Sequence, residues 1–332
     1  MHDVVVPRPV AIAPRMRAFS SNDLYEIIAI SVLGPASWLV PHRLWDFVSV
    51  SLSLGITLLR PDVTHRRIQR LKRCLDGRAI PDSLFGLRVR IMAGYMEERL
   101  QLLREYRPGG WRGRIEMTGR EHLDRALQKG RGVVLWVCPF TYGDLIVKTA
   151  MSRAGDRVTH LGANARGFSP NACHPWVPTR FGIRHLSRLR TAIEDRYIED
   201  RIVMPDDGAM GYIRRVERLL RNNGILSIRA GRHGHRTMEI PMLAGSITMA
   251  TGAPSLALAT GAELLPVFVI WKASGHFEVV FEPPMRTAAE MDPRVATEDL
   301  MRRYVRLLES YVLRFPYMWS GWYQMRFPDS GK

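Results

Sequence analysis

Two patterns of apolar positions divide the chain near residue 108. Up to that point apolar residues recur at helical spacing, and the stretch from 84 to 104 ends in Arg-Pro-Gly-Gly, a helix stop signal. Beyond it, short apolar runs alternate with amphipathic stretches. The runs predict strands at 114–118, 132–138, 157–161, 202–204, 224–229, 237–240, 264–271 and 277–281, and the stretches predict helices at 121–129, 145–154, 210–222, 247–260 and 297–314.

This alternation predicts an α/β fold, a mostly parallel sheet flanked by helices, preceded by an N-terminal helical segment. Residues 1–20 are rich in proline, arginine and alanine without periodicity, which is typical of a flexible arm. We therefore divide the chain into an arm at 1–20, a helical part at 21–108 and an α/β domain at 109–328.

Two apolar runs in the helical part, 27–40 and 47–59, raise the question of membrane contact. Each is shorter than the roughly 20 residues that a spanning helix needs, and glycine, proline or serine interrupts both. Together with the basic run 66–73 they predict a hairpin on a membrane surface, with its cations towards anionic lipid. The alternative is a helical cap packed on the main domain, with a solvated basic edge.

The charge of the chain favours an anionic partner. Its 332 residues include 48 Lys and Arg against 32 Asp and Glu, a net charge of +16. Nucleic acid is the least favoured partner, because no helix-turn-helix, zinc finger or aromatic ribonucleoprotein motif accompanies the arginines. The three scattered cysteines predict neither a disulfide framework nor a zinc site, and no secretion leader is recognisable. We expect residence at the cytoplasmic face of the inner membrane.

Four segments in order carry a resemblance that spans roughly residues 25–327. They are 132–145, 219–228 with 240–246, 260–269 and 314–322. The first reads Gly132-Val-Val-Leu-Trp-Val-Cys-Pro-Phe-Thr-Tyr-Gly-Asp144. The chain thereby resembles the lipid A biosynthesis (lauroyl or myristoyl) acyltransferases, part of the glycerolipid (LPLAT-like) acyltransferase superfamily. That likeness implies an acyl donor, acyl carrier protein or acyl-coenzyme A, a lipid-like acceptor and no cofactor.

In that family a histidine at the end of the strand acts as general base, and an acid five residues later orients it. Imidazole titrates near neutral pH and a carboxylate fixes its tautomer, so the pair suits proton abstraction. Here the acid position holds Asp144, but the histidine position holds Pro139, which has no titratable group. Asp144 has a simpler interpretation as well, because an aspartate at the start of a helix caps free backbone N–H groups.

Other residues could replace the missing histidine or bind a substrate. A Cys138 thiolate facing a helix N-terminus would have a lowered pKa and could accept an acyl group. A displaced base could be His174, or one of His160, His185, His233 and His235. Arg229, Arg232 and Arg236, beside a predicted helix start at Ser246, would suit a phosphate group, or simply form a solvated loop. We predict no metal site, because the spaced pair at 233 and 235 has no recognisable third ligand.

Two functional hypotheses follow. The first is an acyltransferase that moves an acyl group from a thioester to a hydroxyl or amine through a non-standard active site. The second is a catalytically inactive relative that binds acyl chains, acyl carrier or membrane and supports a partner enzyme.

Overall fold

The computed structural model describes most of the chain. It covers residues 17–59, 61–75, 83–140, 143–162, 179–204, 211–231, 234, 236–288, 290–319 and 321–327. The predicted arm at 1–20 therefore lies almost entirely outside the described residues.

The N-terminal part is built from helices that surround one long member. The helices are α1 (Ser21–Ile28), α2 (Gly34–Leu39), α3 (His42–Leu59), α4 (Pro61–Leu75) and α5 (Leu84–Glu105), with a π-helical segment, Ala29–Leu33, between the first two. Ser20 starts α1 through a capping box with Asp23, in which each side chain accepts the other's backbone N–H. Pro35 lies in the first turn of α2, directly after the π-helical segment. The long helix α5 packs against α2, α3 and α4.

Helix α3 has its polar and apolar faces reversed relative to a helix in water. Ser49, Ser53 and Thr57, at successive intervals of four residues, are buried on the inner face. On the outer face Phe47 is 71% exposed and Leu58 is 63% exposed. A surface helix of a soluble protein normally turns its apolar stripe inwards.

Among the described residues, no helix combines the length and the apolar character needed to cross a bilayer.

The C-terminal part contains a seven-stranded sheet and a small hairpin. The strands are β1 (Arg114–Thr118), β2 (Val133–Val137), β3 (Val158–Gly162), β4 (Asp200–Val203), β5 (Ile225–Arg229), β6 (Thr237–Met242), β7 (Gly245–Ala250), β8 (Glu263–Ala273) and β9 (His276–Phe281). The large sheet has the order β1-β9-β8-β2-β5-β3-β4, and β6 pairs with β7. All neighbours in the large sheet are parallel except β8 and β9.

Helices cover both faces of the sheet, so the central strands are buried on both sides. The helices are α6 (Arg120–Leu127), α7 (Gly143–Arg153), α8 (Ser187–Asp195), α9 (Gly211–Arg221), α10 (Gly252–Thr260) and α11 (Pro293–Arg314). On one face Leu135 of β2 belongs to a core shared with Ile146 of α7. On the other face Trp136 stacks on Tyr304 of α11, with ring centroids 3.8 Å apart. A continuous apolar run is what such a doubly covered strand requires.

The predicted fold class is confirmed, with two differences in the elements. The predicted helix at 247–260 is wrong in its first part, because residues 245–250 form β7 and the helix begins only at Gly252. Ile247 and Met249 point inwards in β7 with the alternation that is typical of a strand, so the predicted helix extends too far towards the N-terminus. Helix α8 lies where no helix is predicted. The division at residues 108 and 109 stays a prediction.

Helix α4 is attached to the C-terminal tail through its arginines. Arg70 donates hydrogen bonds to the carbonyl oxygens of Trp322 and Met325, at 2.8 and 2.7 Å. The guanidinium of Arg73 lies 4.3 Å from the centre of the Phe327 ring. These two cations of the basic run 66–73 are therefore engaged by the protein itself.

Candidate active site

The candidate site lies at the edge of the sheet where β2 and β5 end. Because these strands are parallel and in register, Val137 and Arg229 are neighbours at that edge. In an open α/β sheet this is the edge where ligands bind. Helix α7 begins very close to the end of β2, since a Cβ on Gly143 would lie 2.6 Å from the carbonyl oxygen of Cys138. The sequence therefore needs glycine immediately before Asp144.

Pro139 occupies the position where the resemblance places a histidine. It is half-buried and follows β2 directly. The next residue, Phe140, is buried and forms a bridge to Trp319 of the C-terminal tail. Thr141 and Tyr142 lie outside the described residues. Position 139 thus supplies no proton acceptor to the edge of the sheet.

Asp144 is an ionised carboxylate in the first turn of α7. Its Oδ2 atom lies 3.0 Å from the Nζ atom of Lys148, one helical turn later. Burial alone would raise the pKa of Asp144, but the Lys148 ammonium, with His160 and Arg229, holds that pKa well below its usual value. Within the described part of the chain, its Oδ1 atom has no hydrogen-bond partner. One carboxylate oxygen is thus held by Lys148, and the other is buried without a hydrogen-bond partner.

A buried charge cluster lies behind Asp144. Lys148 is completely buried, and its ammonium also pairs with Glu194 of α8. Arg201 of β4 lies 2.6 Å from the other carboxylate oxygen of Glu194. Burial favours the neutral form of Glu194. The positive charges around it, of which Lys148 has the largest effect, nevertheless lower the pKa of Glu194. Each charge in the cluster therefore depends on its neighbours for compensation.

His160 belongs to the same cluster and stays neutral. Its Nε2 atom lies 3.8 Å from Glu194, and its side chain is 8% exposed. Burial, together with the nearby Lys148 ammonium, lowers the pKa of His160 to about 4. His160 is one of the candidates for a displaced general base. Its enclosed position beneath Asp144, with little access to solvent, does not suit that role.

Ligand atoms of Asp144, His160 and Glu194 lie within 4.8 Å of one another, a spacing that a metal ion could use. The Lys148 ammonium already lies between the two carboxylates. A divalent cation would have to displace it or bear its repulsion. We therefore interpret the cluster as an ion-pair network that fixes Asp144 and not as a metal centre.

Cys138 does not have the properties expected of a nucleophile. The side chain is 1% exposed, and burial, the main cause, raises the pKa of its thiol. The expectation of a lowered thiol pKa is therefore wrong. Desolvation in the core outweighs any favourable field from the start of α7. Cys138 is a small buried residue of the core between β2 and α11.

The predicted phosphate-binding residues are only partly brought together. Arg229 ends β5, is exposed, and acts electrostatically on Asp144 and on Glu98 of α5. Arg236 is exposed just before the β6–β7 hairpin. The helix start predicted at Ser246 is wrong, because this residue lies in β7 and its hydroxyl donates to Glu239. His174 and Arg232 lie outside the described residues.

Comparison with known proteins agrees with the order of these elements. The bacterial lipid A biosynthesis acyltransferase family matches residues 104–328, about two thirds of the chain. The chain belongs to this family. The match begins at the end of α5, so it contains the whole sheet and the candidate site.

A distant likeness is found among solved structures. The 1-acyl-sn-glycerophosphate acyltransferase PlsC from Thermotoga maritima is 12% identical, over 81% of this chain and 98% of that chain, with a TM-score of 0.33. At this identity and TM-score, the likeness supports no inference about the function of this member of the acyltransferase family. A search of curated proteins found no match.

Sequence reasoning missed most of the cluster behind Asp144. The spacing of Asp144 and Lys148, four residues apart on a predicted helix, was a readable signal for an ion pair. Glu194 gave none, because it belongs to the unpredicted helix α8 and lies 46 positions after Lys148. Only the folded sheet brings α7, α8 and β4 together.

Proposed function

We propose that the protein transfers an acyl group from a thioester, carried by acyl carrier protein or coenzyme A, to a hydroxyl or amine of a lipid-like acceptor. Membership of the acyltransferase family supports the reaction class. The observation that carries the proposal is Asp144, an ionised carboxylate at the carboxyl-terminal edge of the sheet, whose buried Oδ1 atom has no hydrogen-bond partner among the described residues. The donor and the acceptor are inferred from the chemistry that such a carboxylate can assist.

The chemistry requires little from a base. The acceptor's lone pair attacks the thioester carbonyl, the new C–O or C–N bond forms, the C–S bond breaks, and the thiolate leaves and takes up the acceptor's proton. On entering the site, the acceptor would donate a hydrogen bond to the buried Oδ1 atom of Asp144, and the carboxylate would stabilise positive charge that develops on the acceptor. Arg229, at the same edge, would stabilise negative charge on the carbonyl oxygen.

The N-terminal helices support a membrane-bound acceptor. The outer face of α3 carries exposed side chains such as Phe47 and Leu58, and α1 and α2 expose further apolar side chains. A large exposed apolar surface is typical of a membrane or protein contact. The net charge of +16 favours an anionic membrane. In this proposal the protein lies on the cytoplasmic face of the inner membrane without spanning it.

The test is thioester consumption by the full-length protein with vesicles and acyl-carrier-protein or coenzyme A thioesters, followed by thiol release. We expect Asp144→Asn to reduce turnover by about 100-fold, as the loss of a charge-stabilising group does. Asp299→Asn, on the exposed side of α11, is the matched control and should leave turnover unchanged.

The second candidate function is a non-catalytic acyl-binding or membrane-binding role, which the proline at position 139 favours. Thiol release that is absent with every thioester, together with tight binding of acyl chains or vesicles, would establish this role and overturn the first. Pro139→His then gives a further distinction. A gain of turnover in this variant indicates that only the base was missing.

A further inference from the structure

A basic cleft lies apart from Asp144, between the N-terminal helices and the sheet. It has a volume of about 190 Å³ and lies between the α2–α3 connection, the end of α5 and the residues that precede β1. A water molecule takes up about 30 Å³ in the liquid, so the cleft suits a small polar group with a few waters better than a whole drug-sized ligand.

Positive charge dominates this cleft. Arg104, Arg107 and Arg112 line it, and no acidic residue of the described ranges does. His42 also lines it, but burial and the nearby Arg104 lower the pKa of this histidine, which favours its neutral form. The Nη1 and Nη2 atoms of Arg104 bind Glu97 and the Ser274 hydroxyl, so its charge is balanced. Arg107 and Arg112 are exposed and form no ion pair with any residue in the described ranges. Two uncompensated guanidinium groups therefore remain at the cleft.

Buried donors without partners form a second, independent observation. Arg104 and Trp111 are 2% and 4% exposed, and both line the cleft. The Nε atom of Arg104 and the Nε1 atom of Trp111 have no hydrogen-bond acceptor among the described residues. A buried donor without an acceptor is costly and uncommon. These two donors lie beside the two unpaired guanidinium groups of Arg107 and Arg112. An anion with several acceptor oxygens would satisfy all of them.

We infer that this cleft binds a phosphate group, either of a lipid headgroup or free in solution. Arginine presents paired N–H groups that match phosphate oxygens, which a point charge does not. The rim of the cleft includes Leu39, which is 83% exposed and lies at the end of α2. A phospholipid would thus place its phosphate inside and its acyl chains along the apolar outer side of the N-terminal helices. The inference is independent of acyl transfer at Asp144.

The experiment measures vesicle binding by the full-length protein and the double variant Arg107→Gln/Arg112→Gln. Vesicles contain phosphatidylcholine alone, with phosphatidic acid, or with phosphatidylserine at matched surface charge. We expect the double variant to bind phosphatidic acid vesicles about 30-fold more weakly, since each arginine near an anionic surface contributes about a factor of five. The control, Arg218→Gln/Arg221→Gln, removes the same charge from α9, which packs against β4, β5 and α10.

The outcomes separate the sources of phosphate. Tighter binding to phosphatidic acid than to phosphatidylserine, lost only in the cleft variant, indicates a lipid headgroup. Binding of inorganic phosphate in calorimetry, at constant ionic strength and again lost only in the cleft variant, indicates a soluble phosphate. Equal losses in both double variants, or no loss in either, would overturn the inference, because the charges would then act only through the overall field.

Discussion

Helices α3 and α11 are both long, yet they bury opposite kinds of side chain. Helix α11 turns Leu300, Tyr304 and Leu308 towards the sheet. Helix α3 turns Ser49 and Ser53 inwards and exposes its apolar residues. Helix α11 therefore has the arrangement of a helix that covers a core, whereas α3 exposes an apolar face.

Helices α3 and α7 also differ in the polar groups that they bury. Around Lys148 the α/β domain buries full charges, each opposite a partner. Helix α3 buries small hydroxyls: Ser53 donates to the carbonyl oxygen of Ser49 in its own helix, whereas the hydroxyls of Ser49 and Thr57 have no hydrogen-bond partner among the described residues. Hydroxyls satisfied in this way are tolerated inside a protein, and they let two helices approach closely. The following predictions test this contrast, from the largest expected change in the free energy of unfolding to the smallest.

Trp136→Ala should have the largest effect. It removes a completely buried ring that stacks on Tyr304, so we expect a loss of about 3–5 kcal/mol in the free energy of unfolding. Urea denaturation measures it. Phe47→Ala truncates a ring on the outer face of α3 and should change stability by less than about 0.5 kcal/mol. Equal losses in the two variants would show that α3 packs against the protein after all.

Lys148→Met should cost about 3 kcal/mol at neutral pH, because it removes the ammonium that lies between two buried carboxylates. The control is Lys272→Met, which removes an ion pair that is 43% exposed on the lysine side and is worth at most about 1 kcal/mol. A loss no larger than that of the control would show that Lys148 does not stabilise Asp144 and Glu194.

The pH dependence of the Lys148→Met variant sharpens the test. In the wild type the pKa values of Asp144 and Glu194 are lowered, so their contribution to stability is complete above the unfolded pKa values and is lost as the pH falls through the folded ones. Without the ammonium both pKa values should rise, because only Arg229 for Asp144 and Arg201 for Glu194 then oppose the effect of burial among the arginines. The deficit of the variant should therefore be greatest near pH 7 and should shrink as the pH approaches about 4. Urea denaturation across this range measures it.

The sequence predicts the strand, loop and helix around Asp144 because a strand buried on both faces reads as one apolar run. The partners of Lys148 escape prediction, since Glu194 lies on α8 and meets it only after folding. The orientation of α3 cannot be predicted from the sequence for a different reason. Its serines and its apolar residues form two stripes, and the sequence alone does not tell which of them faces inwards.

Ser53→Leu tests the inner stripe of α3. The hydroxyl is completely buried beside Met96 of α5, so a larger side chain would force the two helices apart. We expect a loss of about 1–3 kcal/mol, the usual cost of overpacking. Ser51→Leu makes the same change on the exposed side of the same helix and should be nearly neutral in thermal or urea unfolding. A neutral Ser53→Leu variant would mean that α3 and α5 are loosely packed.

Phe47→Ser with Leu58→Ser should have the smallest effect on stability and a large one on vesicle binding. Both side chains are more than half exposed, so unfolding should change by less than about 0.5 kcal/mol per site. Each side chain would contribute about 1.5–3 kcal/mol if a bilayer buried it, so sedimentation with anionic vesicles should fall at least tenfold per site. Val295→Ser, an exposed apolar position on α11, is the control and should leave sedimentation unchanged. Unaltered vesicle binding in the α3 variant would assign its outer face to a protein partner, because exposed apolar surface of this extent needs one cover or the other.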